Sequence, residues 1–180
     1  PLGDLAVDIP EREGATRSAT LSARLDELAG GLDEYAAAFA ELAAAARRRG
    51  LNHDQGAQKV FREAAHGLEK ALSAAGRDDL MVRLLQIRRA EKDYMLRLRS
   101  EGERYRARTI AELDALAGAL ATAGPELRGA GERAVAAYRD AFTALVAADA
   151  ATLAAEQRMR VAVHRVEPVI DAIHETAETA

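Results

Sequence analysis

The chain has 180 residues, which is long enough for one domain with a sizeable core. Hydrophobic residues make up 49% of it but aromatic residues only 4%, a balance that favours closely packed, alanine-rich helices over a β-sandwich. The net charge is -4, with both signs mixed along the chain, which argues against a nucleic-acid partner. Because the sequence has no cysteine, disulfides and thiolate metal sites are excluded.

Residues 1–16 are predicted to be a tag remnant followed by a flexible lead-in. The opening Pro1-Leu2-Gly3 resembles what a tag-removing protease leaves behind, and residues 4–16 carry Pro10 and Gly14 among several charges. We expect the rest, residues 17–178, to form a single helical-bundle domain. No apolar run in the sequence approaches the roughly 20 residues that a membrane-spanning helix needs.

The first predicted helix carries the strongest pattern in the sequence. Its large apolar residues recur at alternating spacings of four and three: Leu21, Leu25, Leu28, Leu32, Tyr35, Phe39 and Leu42. This spacing places them along one side of a helix, as in a bundle or a coiled coil. We expect the helix to end near Gly50, because the three preceding arginines suit the negative end of the helix dipole.

Two shorter helices are predicted next. The second follows a cap at Asn52 or Asp54 and extends to Gly76, with a stripe of Phe61, Ala65, Leu68 and Leu72. The third is capped by Asp78 or Asp79, begins around Leu80 and ends at Gly124-Pro125. Its apolar positions include Leu84, Ile87, Tyr94, Leu98, Ile110, Leu113, Leu116 and Leu120. If this third helix is divided in two, we expect the break at Gly102.

The fourth predicted helix begins after Pro125 and continues almost to the end of the chain. Its stripe keeps one four-three register: Val135, Tyr138, Phe142, Leu145, Met159, Val163, Val166, Ile170 and Ile173. The predicted fold is therefore all-α, an elongated antiparallel up-down bundle of four principal long helices. Two stacked modules that share the long helices are the alternative arrangement.

An internal repeat relates the two halves of the chain. Residues 35–42 and residues 138–145 share the pattern Tyr-x-x-Ala-Phe-x-x-Leu, and residues 61–69 and 159–167 share Arg-x-Ala-x-His-x-x-Glu. This match predicts that each half supplies one side of a pseudo-symmetric bundle. The alternative is that alanine-rich amphipathic helices resemble one another without a common origin.

A second motif lies in the third predicted helix. Residues 84–97 read Leu-Leu-Gln-Ile-Arg-Arg-Ala-Glu-Lys-Asp-Tyr-Met-Leu-Arg. The run resembles the Arg-Arg-x-Glu-Lys-Asp-Phe-x-Leu-Arg stretch of the helical bimodular sensor domains of bacterial methyl-accepting chemotaxis proteins. Together with Gly50-Leu51-Asn52 and the two Tyr-x-x-Ala-Phe segments, the resemblance covers most of residues 25–170. Tyr94 departs from the usual Phe, residues 100–103 lack the usual Gly-Asp-Pro turn, and the chain is short for a full bimodular domain.

The resemblance implies a sensor domain on the periplasmic side of the bacterial inner membrane, held by flanking membrane spans in its parent protein. It implies a small-molecule ligand, with organic acids as the expected class, a homodimer, and a helix displacement that carries the signal across the membrane. It implies neither an enzyme nor a cofactor. The alternatives are the sensor module of a histidine kinase and a helical module that reads a partner protein.

The residues of the third helix support a special role for this run. Glu91 lies on the apolar stripe, one step before Tyr94, where an unpaired charge would cost several kcal/mol. Arg88 lies one turn earlier and is a natural partner. Arg88, Arg89 and Arg97 would also suit the two oxygens of a carboxylate ligand. The alternative is a salt-bridge network that sets helix register.

The fourth helix has polar residues on its stripe as well. Asp149, Thr152 and Glu156 fall between Leu145 and Met159, which indicates either a wet cavity that holds a ligand or a seam that faces solvent or a dimer partner. The predicted ligand-binding residues are Arg88, Arg89, Glu91, Tyr94, Arg97, Asp149 and Glu156.

A di-iron enzyme would be a different class of function for a helical bundle. Glu63 and His66 have the Glu-x-x-His spacing of di-iron bundles, but the stripe of their helix predicts that both point away from the core. His66 and His164, each with a Glu three residues later, are expected to form surface ion pairs. No metal site and no enzyme activity are therefore predicted.

Overall fold

The computed structural model of the protein describes residues 4–178. Within this range the chain is helical and contains no strand. Five helices follow one another: α1 (Asp4–Arg49), α2 (Gly56–Ala74), α3 (Asp78–Leu96), α4 (Leu98–Ala121) and α5 (Pro125–Glu178). The all-α prediction is confirmed. The tag-remnant interpretation of residues 1–3 lies outside the described residues.

Helix α1 is longer than predicted at its start and ends where predicted. Residues 4–16, which we expected to be a lead-in, are already helical. At the other end Gly50 has φ 109°, a conformation that L side chains rarely adopt. A side chain at this position would also collide with the Gln55 carbonyl oxygen. The glycine therefore makes the turn into α2 possible.

The predicted helix caps are wrong in detail. The residue before α2 is Gln55, and its side chain makes no capping hydrogen bond. The Asn52 side chain accepts a hydrogen bond from the Asp54 N–H at 2.9 Å instead, so it organises the turn rather than the helix end. Asp78 and Asp79 lie inside the first turn of α3, where acidic residues are favourable because of the helix dipole.

The third predicted helix is two helices in the structure. The break is at Arg97, which has φ -116° and ψ 23°, and Glu101 also has non-helical angles. Gly102 itself is buried, and a Cβ there would lie 3.5 Å from Leu98 and 3.8 Å from Tyr94. These are ordinary van der Waals distances, so an alanine would also fit at this position.

The described residues fall into two compact units. We call residues Ala46–Ala151 the central unit, and the described residues up to Ala45 together with those from Thr152 the terminal unit. In the central unit α2, α3, α4 and the first half of α5 share one core. Its largest fully buried side chains are Tyr138, Phe142, Leu68, Leu72, Leu80, Leu84, Ile87, Leu113, Leu116, Leu120, Leu145 and Glu91. Most of these positions lie on the predicted stripes.

The terminal unit pairs α1 with the second half of α5. Glu34 pairs with Arg165 and Glu41 pairs with Arg158, each at 2.8 Å. Because the later residue of α1 pairs with the earlier residue of α5, the two helices are antiparallel. A Cβ at Gly31 would lie 3.0 Å from Val166 Cγ2, which shows how closely the helices approach. The buried residues of this unit are small: Ala45, Ala155, Ala162 and Val166.

Candidate functional site

The first element of the candidate site is the buried carboxylate of Glu91, on α3. Its side chain is 2% exposed, and it pairs with Arg88 Nε at 3.1 Å, one turn earlier on the same helix. The Tyr138 hydroxyl, on α5, donates a second hydrogen bond to it. The predicted partnership of Glu91 with Arg88 is confirmed, and both polar partners reduce the cost of burying the carboxylate.

The second element is the buried carboxylate of Asp149, on α5. It is 1% exposed and pairs with Arg49 Nε, at the C-terminal end of α1. The Tyr94 hydroxyl on α3 donates a hydrogen bond to its other oxygen at 3.1 Å. Because Asp149 is buried and paired, the interpretation that its part of the seam faces solvent is wrong. Three helical segments of the central unit meet at this one side chain.

Aromatic rings connect the two carboxylates. The Tyr138 ring lies 5.3 Å from that of Phe61, which lies 5.8 Å from that of Phe142. Phe142 in turn meets the Tyr94 ring edge-on, at 5.4 Å and 73°. Each tyrosine therefore packs its ring in the core and donates its hydroxyl to a carboxylate, an arrangement that suits its amphipathic side chain. We call Glu91, Asp149, Arg49, Arg88 and these four aromatic residues the polar-aromatic cluster.

Burial dominates the electrostatics of the cluster. It raises the pKa of Glu91 above its ordinary value, against the opposing effects of the Tyr138 hydrogen bond and the Arg88 charge. Burial also raises the pKa of both tyrosines, and the charges of Asp149 and Glu91 raise those of Tyr94 and Tyr138 further. Both hydroxyls therefore keep their protons at physiological pH and serve as donors.

A Glu91→Gln substitution should remove a pH dependence of stability. Because the pKa of Glu91 is higher in the folded protein, its contribution to stability is full below the unfolded-state pKa and is lost as the pH rises through the folded-state pKa. Glutamine still accepts the Tyr138 hydrogen bond but carries no charge. We expect the variant to match the parent in acid and to exceed it by on the order of 1 kcal/mol at neutral pH. Urea unfolding between pH 4 and 8 measures this, and parallel pH profiles would contradict it.

The other predicted arginines occupy different positions. Arg97 Nη1 lies 3.1 Å from Asp93, donates to the Tyr105 hydroxyl, and its guanidinium sits 5.0 Å from the centre of the Tyr105 ring. Arg89 is exposed on α3. The structure therefore brings Glu91 with Arg88, and Tyr94 with Asp149, into the polar-aromatic cluster, whereas Arg89 and Arg97 lie outside it. Glu156 is half-buried in the terminal unit.

Sequence reasoning missed two of the polar members of the cluster. Arg49 was interpreted only as one of three cations at the end of α1, and Tyr138 only as a core residue. A signal for Tyr138 was present, because tyrosine at a fully buried position needs a partner for its hydroxyl. For Arg49 there was none, since Arg47 and Arg48 are equivalent to it in the sequence and only the helix orientation selects it.

Two surface cavities bear on the ligand-binding prediction. One, of about 710 Å³, lies in the central unit beside the end of α2 and the start of α5, and Arg77, Pro125 and Leu127 line it together with alanines. The other, of about 300 Å³, is a groove in the terminal unit beside the Glu34–Arg165 pair. Neither is lined by a predicted ligand-binding residue. Arg77 is itself held by Asp79 at 2.6 Å.

The histidines of the repeat form the expected surface pairs. His66 Nδ1 lies 3.4 Å from Glu69 and His164 Nδ1 lies 3.0 Å from Glu167, and all four residues are exposed. Among residues 4–178, no three His, Asp or Glu side chains converge as metal ligands would. In the same range, no helix combines the length and apolar character of a membrane span.

Comparisons with known proteins identify no relative. No protein-family description, no characterised protein and no solved structure matches the chain.

Proposed function

We propose that this protein is the extracytoplasmic ligand-binding sensor domain of a bacterial chemotaxis transducer. In this proposal the central unit is an up-down four-helix bundle that binds a small organic acid, and flanking membrane spans hold the parent protein in the inner membrane. The motif at residues 84–97 supports the proposal, because in the structure that segment supplies Arg88, Glu91 and Tyr94 to the polar-aromatic cluster.

The observation that carries the proposal is that Asp149 joins three helical segments. Arg49 is the last residue of α1, Tyr94 is on α3, and Asp149 is on α5, the helix that continues to the C-terminal end of the described chain. A ligand that displaces α3 would therefore alter the contacts that hold α1 and α5. A two-state shift of packed helices is a general means of signalling, provided that the ligand binds the two states with different affinities.

The arginines of α3 are the proposed ligand contacts. Arg89 is exposed, and Arg88 is partly exposed while its guanidinium holds Glu91, so an acid could bind Arg89 and compete with Glu91 for Arg88. Arg97 shares its guanidinium with Asp93 and Tyr105, and it borders the break between α3 and α4. A carboxylate bound here would act on the end of α3.

The test is a thermal-shift screen with small organic acids and amino acids, followed by titration calorimetry on any acid that stabilises the protein. An acid at about 100 times its Kd should add about 2.7 kcal/mol of stability. The Arg88→Ala, Arg89→Ala double variant should lose this binding. A double variant at two exposed arginines, Arg83→Ala and Arg108→Ala, is the matched control and should retain it. Undiminished acid binding by the first variant would exclude these contacts.

A second candidate function is a module that reads a partner protein. The observation in its favour is that α3 carries exposed large apolar residues, Val82 and Leu85 one turn apart and Leu96 at the helix end. Absence of a thermal shift throughout the acid screen would favour this function. The sensor module of a histidine kinase would use the same geometry as a chemotaxis sensor, and the cytoplasmic sequence of the parent distinguishes these two.

A further inference from the structure

The Glu91 carboxylate has a different partner at each of its oxygen atoms. Its Oε1 atom lies 3.1 Å from Arg88 Nε, and its Oε2 atom accepts a hydrogen bond from the Tyr138 hydroxyl. Lys92, the next residue along α3, is exposed and acts on Glu91 through its charge. Arg88 is therefore the cation in direct contact with this buried carboxylate.

The other helices of the central unit bring mainly apolar side chains into the shared core. The buried residues of α2 are Phe61, Ala65, Leu68 and Leu72. On α4, Thr109 donates its hydroxyl to the Tyr105 carbonyl oxygen, and the Tyr105 hydroxyl is bound by an arginine. On α5, the charge of the buried Asp149 is paired with Arg49. Glu91 therefore depends on its own helix for a compensating charge.

Arg88 is the member of this pair that a ligand can reach from solvent. Its side chain is 29% exposed, whereas that of Glu91 is 2% exposed. Arg89, the next residue, is exposed as well. An incoming carboxylate therefore meets the Arg88 guanidinium before it meets Glu91, and it can use the N–H donors other than Nε. Two carboxylates would then share one guanidinium.

Two ionised carboxylates at one guanidinium repel each other. When two carboxyl groups share a site, this repulsion favours a proton on one of them. The carboxylate of the ligand would lie on the solvent side of Arg88, where water stabilises its charge. The carboxylate of Glu91 lies in the core, where a charge without a full partner is costly. Glu91 is therefore the group that becomes neutral.

We propose that this protein binds a carboxylate together with a proton, which Glu91 takes up as the acid engages Arg88. The inference rests on the proposed function, because it requires an acid to bind at Arg88 and Arg89. The proton comes from the solvent and binds to Oε1 of Glu91, the oxygen that Arg88 contacts in the unliganded protein. For a monocarboxylate the two added charges cancel, so the binding region gains no net charge.

Burial already favours the protonated form of Glu91 in the unliganded protein. It raises the pKa of Glu91, and the Tyr138 hydrogen bond and the Arg88 charge oppose this increase. A ligand that engages the guanidinium weakens the effect of Arg88, so the pKa of Glu91 rises further. Burial also raises the pKa of Tyr138, which therefore keeps its own proton and continues to donate to Oε2.

The affinity for an acid should depend on pH as a consequence. Below the pKa that Glu91 has in the unliganded protein, Glu91 already holds its proton and the affinity is constant. Between this pKa and the higher pKa of the complex, each unit of increase in pH should lower the affinity by up to about tenfold, because binding takes up one proton. Above the higher pKa Glu91 stays ionised, and the affinity is constant at its lowest value.

Titration of the full chain with formate tests the coupling. Formate is the smallest carboxylate, and it remains ionised between about pH 5 and 8. Carbon NMR of protein labelled at the glutamate carboxyl groups reports protonation directly, and the Glu91 resonance is the one that is absent from a Glu91→Gln spectrum. We expect formate to move this resonance towards its protonated position and the Kd for formate to rise with pH. Formate binding with an unmoved Glu91 resonance would overturn the proposal.

Three variants separate the role of Glu91 from that of other carboxylates. Glu91→Gln should bind formate with an affinity that is independent of pH, because glutamine is already neutral. Glu63→Gln is the matched control, since Glu63 is exposed on α2, and it should keep the pH profile of the parent. Tyr138→Phe removes a hydrogen bond that lowers the pKa of Glu91, so its loss of affinity should begin at a higher pH. A Glu91→Gln variant with the profile of the parent would contradict the coupling.

Proton uptake can also be counted in the parent protein without a variant at position 91. Formate added to an unbuffered solution, at a pH at which the affinity changes, should make the solution more alkaline by up to one proton per bound formate. The Arg88→Ala, Arg89→Ala double variant should give no such change. Formate binding without proton uptake would overturn the coupling alone, whereas absence of formate binding at every pH would exclude the proposed acid contacts and the coupling with them.

Discussion

An Arg49→Gln variant should be less stable than the parent by about 3 kcal/mol. Arg49 is the cation that pairs with Asp149, whose carboxylate is 1% exposed. Without the arginine this carboxylate keeps one hydrogen bond, from the Tyr94 hydroxyl, and loses the opposite charge that offsets its burial. Urea unfolding monitored by circular dichroism measures the difference. The same variant removes the contact by which the end of α1 is joined to Asp149 on α5 and, through Asp149, to Tyr94 on α3.

The neighbouring arginine provides the control for this substitution. Arg48 is exposed in the same turn of α1, and Arg48→Gln should change the free energy of unfolding by less than about 0.5 kcal/mol. Arg49→Lys should recover part of the loss, because lysine restores the charge without the planar guanidinium. If Arg49→Gln and Arg48→Gln have the same stability, the buried pair does not hold α1 in solution.

A Phe142→Ala variant should lose about 3–5 kcal/mol of stability. Phe142 is 0% exposed, and its ring lies against those of Phe61 and Tyr94. Truncation removes the apolar transfer energy of the ring and leaves a cavity in the middle of the polar-aromatic cluster. Chemical denaturation gives the change in free energy, and we expect the Tyr94 side chain to lose part of its support at the same time.

The repeat supplies a control for Phe142 as well. Leu85→Ala removes an exposed side chain from the same unit and should cost less than about 0.5 kcal/mol. Phe39→Ala is the equivalent substitution in the first copy of the repeat. It should lower the free energy of unfolding far less than Phe142→Ala does, because the Phe39 side chain is more than half exposed. Equal losses for Phe142→Ala and Leu85→Ala would contradict the central position of Phe142 in the core.

The central unit and the terminal unit differ in how completely their apolar side chains are buried. The central unit has a complete core with two buried carboxylates, which is what a structure needs if a ligand is to alter helix contacts. The buried side chains described in the terminal unit are small, and Leu25, Leu32, Phe39 and Ile170 are about half exposed there. Helix α5 contributes residues to both units, as its range from Pro125 to Glu178 shows.

The sequence predicted Glu91 as a buried charge but could not identify all its partners. The spacing of Leu84, Ile87, Glu91 and Tyr94 places the carboxylate on the core side of α3, and Arg88 is near because it is one turn away on the same helix. The hydroxyl of Tyr138 comes from a residue 47 positions further along the chain. Local periodicity carries no information about which distant residue occupies the opposite side of a core, so this contact required the tertiary structure.

Most of the helix boundaries and the residues on each apolar stripe could be predicted from the amino-acid sequence, whereas the early start of α1 and the break between α3 and α4 could not. The predicted features depend on local chemistry: the 3.6-residue period, the glycine at position 50, and the Gly124-Pro125 pair at the start of α5. The break at Arg97 was not predictable locally, because the residues on either side of it are Leu96 and Leu98 and neither a glycine nor a proline marks the end of a helix there.

Which apolar stripes are covered could not be predicted from the sequence. Phe39 and Phe142 stand in the same motif, yet one is open and the other is fully buried. The pattern specifies that a face is apolar, but burial depends on how many other helices reach that face, and this number is a property of the whole assembly of helices.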